Sequence, residues 1–466
     1  MTDSRFSFFA LQKTRLTLSA LSTLSVLSLF LSFSAAAQTQ PSPDVPELLE
    51  EEFVEETAFD EELTPAPLPS PVASPVKTAP VNPVALGGSN ISAFTRDILG
   101  KTSVGGYFDT DFNFPVGGNS FFNQHRLILQ VSSYLHERLF FNTEIEYEYG
   151  AVLGNGTTND GQLKVEQIFL DYKIEDYLIF RAGSLLIPMG RLNILHDSDF
   201  RDTVDRPLFN RFILPTTWTE TGAGFYGLIP LSEDWEMNYE AYVVQGLRDE
   251  LSDGLGLARA RNSLSVDNNN NKGFTSRVGF SPAIGTEFGL GGYYAALDAE
   301  NKKNLGMVVA DFNTTWGPFE LLGEGGVTFF DPTTQNAASP TTALLPSNSN
   351  VVSDTLTPLL GPMWGYYIEG HYHFFPAFLE NTFLSNGFEQ PVLTAFARIS
   401  QIDTDASTLN QNDRSRFTIG INYRPITNTV FKLEYQWNIE NEAFIRNDPS
   451  LERANNQFVA SVATGF

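Results

Sequence analysis

The run VFKLEYQWNI, residues 430–439, alternates without a break. Phe431, Leu433, Tyr435, Trp437 and Ile439 share one face, and Lys432, Glu434, Gln436 and Asn438 share the other. A period of two sends successive side chains to opposite faces of a strand, so this strand separates an apolar environment from a wet one. Residues 142–149 repeat the pattern, with Thr143, Ile145, Tyr147 and Tyr149 opposite Asn142, Glu144, Glu146 and Glu148. Residues 106–114 do so again, Phe108, Phe112 and Phe114 opposing Tyr107, Asp109, Asp111 and Asn113. A single strand of this kind fits a soluble sandwich as well as a membrane wall. The number of strands and the lengths of their connections decide between the two.

Strands are predicted over 102–114, 121–135, 138–150, 162–175, 177–187, 219–229, 235–247, 272–281, 285–297, 304–315, 318–330, 363–375, 391–402, 416–425, 429–440 and 456–466. The count is even. Connections on one side are polar and long (151–161, 188–218, 248–271, 331–362, 403–415, 441–455), while those on the other are mostly tight, as at His136-Glu137 and Trp316-Gly317-Pro318. The connection 376–390 breaks this rule. Long loops on one rim and short turns on the other are the signature of an outer-membrane barrel, in which about ten residues of each tilted strand cross the bilayer. The expected fold is therefore all-β: a transmembrane antiparallel β-barrel of about 16 strands. Closure pairs every backbone donor and acceptor without water, and sixteen strands leave an aqueous lumen.

The rest of the composition agrees. The 466-residue chain has no cysteine, which removes disulfide frameworks, thiolate nucleophiles, Cys-ligated zinc and iron–sulfur centres. Fifty-five acidic against 29 basic residues exclude a nucleic-acid partner, which needs a basic stripe. At the start, Arg5, Lys13 and Arg15 precede an apolar run from Leu16 to Phe33, and Ala35-Ala36-Ala37 supplies a small-residue cleavage site. Residues 1–37 are thus expected to be a secretory signal peptide. Residues 38–99 begin with a Pro- and Glu-rich stretch carrying ten acidic residues and one lysine, Lys77, and are expected to form a disordered periplasmic tail or linker. The barrel domain is assigned to 100–466. After cleavage the expected location is the cell outer membrane, in contact with lipid and lipopolysaccharide.

In the last strand Phe458, Ala460, Val462, Thr464 and the terminal Phe466 share a face. A C-terminal strand ending on phenylalanine resembles the recognition signal read by the barrel assembly machinery. Thr464, where such signals usually carry an apolar residue, departs from it.

The third long connection reads PMGRLNILHDSDFRDTVDRPLFNRFILPTTW, residues 188–218. It carries Arg191, Arg201, Arg206 and Arg211 together with Asp197, Asp199, Asp202 and Asp205. Opposed arginines and carboxylates in a water-filled pore create a local field that selects solutes by charge and dipole. The same loop holds Leu208, Phe209, Phe212, Ile213 and Leu214, which a freely solvated cap would not need. Those residues favour an inward-folded constriction over an extracellular cap.

The stretches RAGSLLIPMGRLN (181–193) and DRPLFNRFILPTTWTETGAGFYG (205–227) resemble the phosphate-selective porin O and P type family and its outer-membrane relatives. The resemblance covers about fifty residues and is architectural elsewhere. It implies a sixteen-stranded porin, a homotrimer, passive diffusion of small hydrophilic solutes, and in the well-studied members an arginine ladder selective for phosphate. The alternation itself gives a mixed wall. Arg126, Arg181, Arg277, Arg398, Arg424 and Lys432 are placed toward the lumen, and so are Glu144, Glu146, Glu148, Glu236, Glu240, Glu369 and Glu434.

No Ser/His/Asp constellation, phosphate-cradling glycine loop or isolated carboxylate pair is evident, so an enzyme is not expected and no cofactor is implied. His371 and His373 share a face with Glu369, a spacing that could hold a metal, but polar residues facing a wet lumen explain it more simply, and no metal site is assigned. The reading is a non-enzymatic porin for small hydrophilic, charged solutes, anions such as phosphate among them. The rival is a non-transport barrel acting as adhesin or envelope tether. An energy-coupled receptor would need a larger plug, and a fatty-acid channel an apolar lumen.

Overall fold

The computed structural model describes residues 101–149, 161–233, 235–251, most of 255–272, 273–330, 361–406, 413–440 and 455–466. The expected signal peptide and the acidic tail lie outside the described residues, as do most of the long connections 151–161, 331–362 and 441–455.

Sixteen strands form one closed antiparallel barrel: β1 (Thr102–Pro115), β2 (Phe121–His136), β3 (Leu139–Glu148), β4 (Gln162–Glu175), β5 (Leu178–Leu186), β6 (Thr219–Pro230), β7 (Glu236–Val244), β8 (Gly273–Ala283), β9 (Thr286–Ala296), β10 (Asn304–Trp316), β11 (Phe319–Phe330), β12 (Trp364–Phe374), β13 (Val392–Asp403), β14 (Arg414–Ile426), β15 (Thr429–Glu440) and β16 (Gln457–Gly465). Each strand pairs with its sequence neighbours, and β1 closes the ring on β16. Every strand lies within three residues of its predicted limits. The exceptional connection after β12 contains a 3-10 turn at Ala377–Leu379.

The seam is closed by the chain terminus. Gly106 N donates to Phe466 O at 3.1 Å and Phe466 N donates to Gly106 O at 2.9 Å. A Cβ on Gly106 would stand 2.0 Å from Ile128 O, so only glycine lets β1 lie this close to β2. Phe466 itself stays exposed.

The alternation sorts the two faces as expected. On β15 Phe431, Leu433, Trp437 and Ile439 are exposed, while Lys432, Glu434, Gln436 and Asn438 are buried inside the ring. Exposed apolar side chains in continuous alternation around a closed sheet are what lipid, not water, requires. Among the described residues no helix is long and apolar enough to cross a membrane.

One expectation is corrected inside the ring. The lumen is not wet throughout: Phe209, Ile213, Leu214 and Trp218 of the third loop pack with Tyr242, Tyr293, Leu305, Val309, Tyr367 and Ile402 into an apolar cluster. These aromatic rings face inward, so lipid contact accounts for only part of the aromatic content. Inward positions such as Tyr242, Tyr293, Leu305, Val309, Tyr367 and Ile402 are apolar where these rings cover them, whereas buried polar residues under the loop, such as Glu324 and Ser400, are hydrogen-bonded to it.

Candidate functional site

The segment 187–218 leaves β5, runs inside the barrel and returns to β6. Its neck is held by Asn193, whose Nδ2 donates to Ile187 O (2.7 Å) and Trp218 O (3.0 Å) while its Oδ1 accepts from Trp218 N (2.8 Å). Two short helices, α1 (Arg191–Ile194) and α2 (Leu208–Phe212), interrupt the loop. Pro207 precedes α2, where a missing N–H costs nothing. Phe209 and Phe212 then point into the apolar cluster. A second segment packs over the first. Leu257 N donates to Phe212 O at 2.7 Å, and Gly256, at φ +54°, has no room for a Cβ, which would stand 2.2 Å from the same oxygen.

The charged stretch between α1 and α2 lies against the opposite wall. Lys432 Nζ donates to Ser198 O (2.6 Å) and Thr203 O (3.2 Å), and Glu434 accepts from Val204 N (2.8 Å). Arg424 donates to Asp199 O (2.6 Å) and to Asp202 Oδ1 (3.0 Å), which Asn422 also reaches (3.0 Å). Arg398 donates to Thr203 Oγ1 (2.9 Å), and Arg416 to Asp205 Oδ2 (3.2 Å). Glu324 holds the other side, accepting from Asn210 Nδ2 at 2.8 Å and from Leu192 N.

The four loop arginines separate into two pairs. Arg201 donates to Val204 O (3.1 Å) and Ser198 Oγ (3.2 Å), and Arg206 to Thr216 O and Thr217 Oγ1 (3.0 Å). Both brace the loop itself. Arg191 and Arg211 are more open, facing Glu287 (3.8 Å) and Asp205 (3.7 Å) respectively. Of the aspartates, Asp202 and Asp205 bond to wall residues, Asp199 is buried beside β16 with Lys432 and Arg424 near, and Asp197 lies 3.8 Å from the His196 ring.

Burial pushes the Asp199 carboxyl up to about 6, helped by the charge of Asp197. At Asp202 burial is outweighed by the His371 hydrogen bond and the Arg424 charge, which hold the carboxyl below its usual range. Asp205 likewise overcomes burial through Arg211 and Arg416 and is held at about 2. Burial, with the charges of Arg126 and Arg201, lowers Arg206 to about 9.

Most of the wall residues placed toward the lumen are paired with one another or with the loop, while Glu240, among the described residues, accepts only from the Tyr242 hydroxyl. Arg126 meets Glu146 and Glu148, both at 3.5 Å, and Lys164 meets Glu146 at 2.6 Å. Glu144 accepts from Gln167 at 2.6 Å. Arg181 binds Asp171 through two hydrogen bonds (2.7 and 2.9 Å) and stacks on Phe169 and Tyr226. Arg277 binds Asp311 and Glu287, and Arg398 binds Glu369. These guanidiniums are spent on carboxylates, not arrayed as an open ladder.

A recess remains between α2 and the wall formed by β1, β2, β14, β15 and β16. Arg211, Arg414 and Arg416 line it together with Asp111, Asp205 and Glu440. Arg414 and Arg416 are absent from the sequence-derived candidates. The alternation Arg414, Arg416, Thr418 on one face is the available signal, but a strand predicted over 416–425 leaves Arg414 in the preceding loop, whereas β14 begins at Arg414.

No known family profile matches the chain. It is similar to an uncharacterized protein of Aquifex aeolicus, 29% identical over 344 residues, covering 72% of this chain and 74% of that one. Among solved structures, Salmonella typhi OmpF in complex with daunomycin matches 78% of this chain and 97% of that chain with a TM-score of 0.50 at 10% identity. An anion-selective porin from Comamonas acidovorans matches 78% and 99%, with a TM-score of 0.45 at 12% identity. At such identities the likeness is one of fold: the chain has the architecture of sixteen-stranded outer-membrane porins.

Proposed function

We propose that the protein is a non-enzymatic outer-membrane porin through which small hydrophilic, charged solutes diffuse passively. The observation that carries this reading is the course of residues 187–218 inside the closed barrel, which leaves beside it a recess lined by arginine and carboxylate side chains. In this reading the solute passes Arg211, Arg414 and Arg416, with Asp111, Asp205 and Glu440 lining the same recess. Charges of both signs across a narrow gap orient dipoles and slow ions of either sign. Three guanidiniums close together, two of them sharing the one carboxylate of Asp205, favour anions, phosphate included, without a dedicated phosphate ligand. In this role Arg201 and Arg206 shape the loop, and Arg191 and Arg211 act on the solute.

The same reading takes residues 1–37 as a cleaved signal peptide and 38–99 as a periplasmic tail. Phe466 would be the residue read by the assembly machinery, and a homotrimer in lipid and lipopolysaccharide the working form. Liposome swelling tests the transport claim. Vesicles carrying the purified protein should admit both a neutral sugar and phosphate, phosphate faster than its size alone allows and without saturation. Vesicles that stay closed to both solutes would favour the adhesin or tether, in which deletion of 38–84 should release the barrel's envelope attachment.

A further inference from the structure

His371 and His373 share the inner face of β12, and strand register sets Glu320 of β11 directly opposite His371. Asp202 arrives from the inner loop. His371 Nδ1 lies 3.1 Å from Asp202 Oδ2 and 3.4 Å from Glu320 Oε2, and His373 Nε2 lies 3.4 Å from the same Glu320 oxygen. These four ligand atoms all fall within 4.8 Å of one another. For zinc bonds of about 2.0–2.2 Å, the edge of a tetrahedron is about 3.3–3.6 Å. Three of the six separations, 3.1, 3.4 and 3.4 Å, lie within about 0.2 Å of that range, and the other three lie within 4.8 Å.

The outer shell is oriented for the same purpose. His371 Nε2 is hydrogen-bonded to Glu369 Oε1 at 2.7 Å, and His373 Nδ1 to Thr394 Oγ1 at 2.9 Å. The Glu369 carboxylate is an acceptor on the far nitrogen of His371, which favours the proton there and a near nitrogen free for a metal, and the Thr394 hydroxyl can accept from His373 in the same way. Asp202 is oriented in the same way. Its Oδ1 is occupied by Arg424 and Asn422, leaving Oδ2 for the cluster. His371 is 6% exposed, and its Nδ1 is buried facing the Asp202 and Glu320 carboxylates. The side chains of Glu320 and His373 are 23% and 31% exposed, which leaves an access path from the water-accessible interior.

We propose that Asp202, Glu320, His371 and His373 form a binding site for a divalent transition metal of the zinc class, tying the inner loop to β11 and β12. Two imidazoles and two carboxylates make a borderline donor set that suits zinc, and cobalt as its spectroscopic stand-in. Glu369 is a positioning residue that acts through His371. The site stands on its own geometry and does not depend on the transport reading.

The test uses the purified full-length barrel in detergent, stripped with chelator and titrated with zinc. One zinc per chain should bind, with loss of that equivalent in H371Q/H373Q and a ten- to hundredfold weaker affinity in E369Q. An unmoved affinity in E369Q removes its positioning role. No stoichiometric zinc on the wild type overturns the proposal. So does an unchanged stoichiometry in H371Q/H373Q, which would move the metal to another cluster, such as Glu144, Glu166 and His196. Should the double variant fail to fold, cobalt on the wild type decides by itself. Intense visible bands of a four-coordinate ion with imidazole ligands are expected, and the weak bands of six-coordinate cobalt overturn the assignment.

Discussion

The inner loop meets the barrel in two unlike ways. On the side of β7 to β13 it presents Phe209, Ile213, Leu214 and Trp218, all fully buried, to an apolar wall. On the side of β12 to β15 it presents backbone groups and aspartates to Arg398, Asn422, Arg424, Lys432 and Glu434. Apolar contact is strong and undirected, so the first side fixes the loop in place. Hydrogen bonds and ion pairs contribute less net free energy but depend on angle and distance, so the second side fixes its register. A pore needs both, because a loop held only by apolar packing would have no reason to leave a polar gap beside it.

The largest effect should come from breaking the apolar side. Phe209→Ala and Trp218→Ala each remove a large ring from the cluster at a cost of about 3–5 kcal/mol. Loop anchorage should fail, and unit conductance should rise several-fold in bilayer recordings. An unchanged conductance would mean that the charged side holds the loop alone.

Asp199 comes next. Burial raises its carboxyl from 3.8 to about 6, so the folded barrel binds this proton more tightly than the unfolded chain does. The stability it contributes is fully present below about pH 4 and is lost as pH rises to about 6, an effect of up to about 3 kcal/mol. Thermal melting of wild type against Asp199→Asn should diverge across that window and run parallel above it. Curves that stay parallel throughout would remove Asp199 from the account.

Glu434→Ala would strip the acceptor from Val204 N, leaving a buried donor unsatisfied at about 1–3 kcal/mol. Brief closures should become more frequent with little change in open-state conductance. The smallest shift is electrical. Arg211→Ala with Arg416→Ala should move the reversal potential toward cations, whereas Arg201→Ala should leave selectivity almost unchanged.

Much of this was written in the alternation of the chain. Period-two runs such as 430–439 gave strand positions, inner and outer faces and the even strand count, because a wall between lipid and water imposes its chemistry on every second residue. The charged loop was visible as a composition, and Leu208, Phe209 and Phe212 signalled its inward course. What sequence could not carry was partnership. Arg201 and Arg206 look identical to Arg211 along the chain, yet each of the first two bonds to a loop carbonyl and a hydroxyl while Arg211 stays partly exposed and faces Asp205. The Glu369, His371 and His373 face was legible, but Glu320 joins it through cross-strand register and Asp202 through the loop, contacts separated by up to 171 positions.

The central claim is a polar passage beside an anchored loop, and single-channel recording of the purified barrel in a planar bilayer addresses it most directly. Discrete, ohmic steps are predicted, with a reversal potential in a salt gradient that shifts on replacing Arg211 and Arg416. A reconstituted, folded barrel that produces no steps would contradict it.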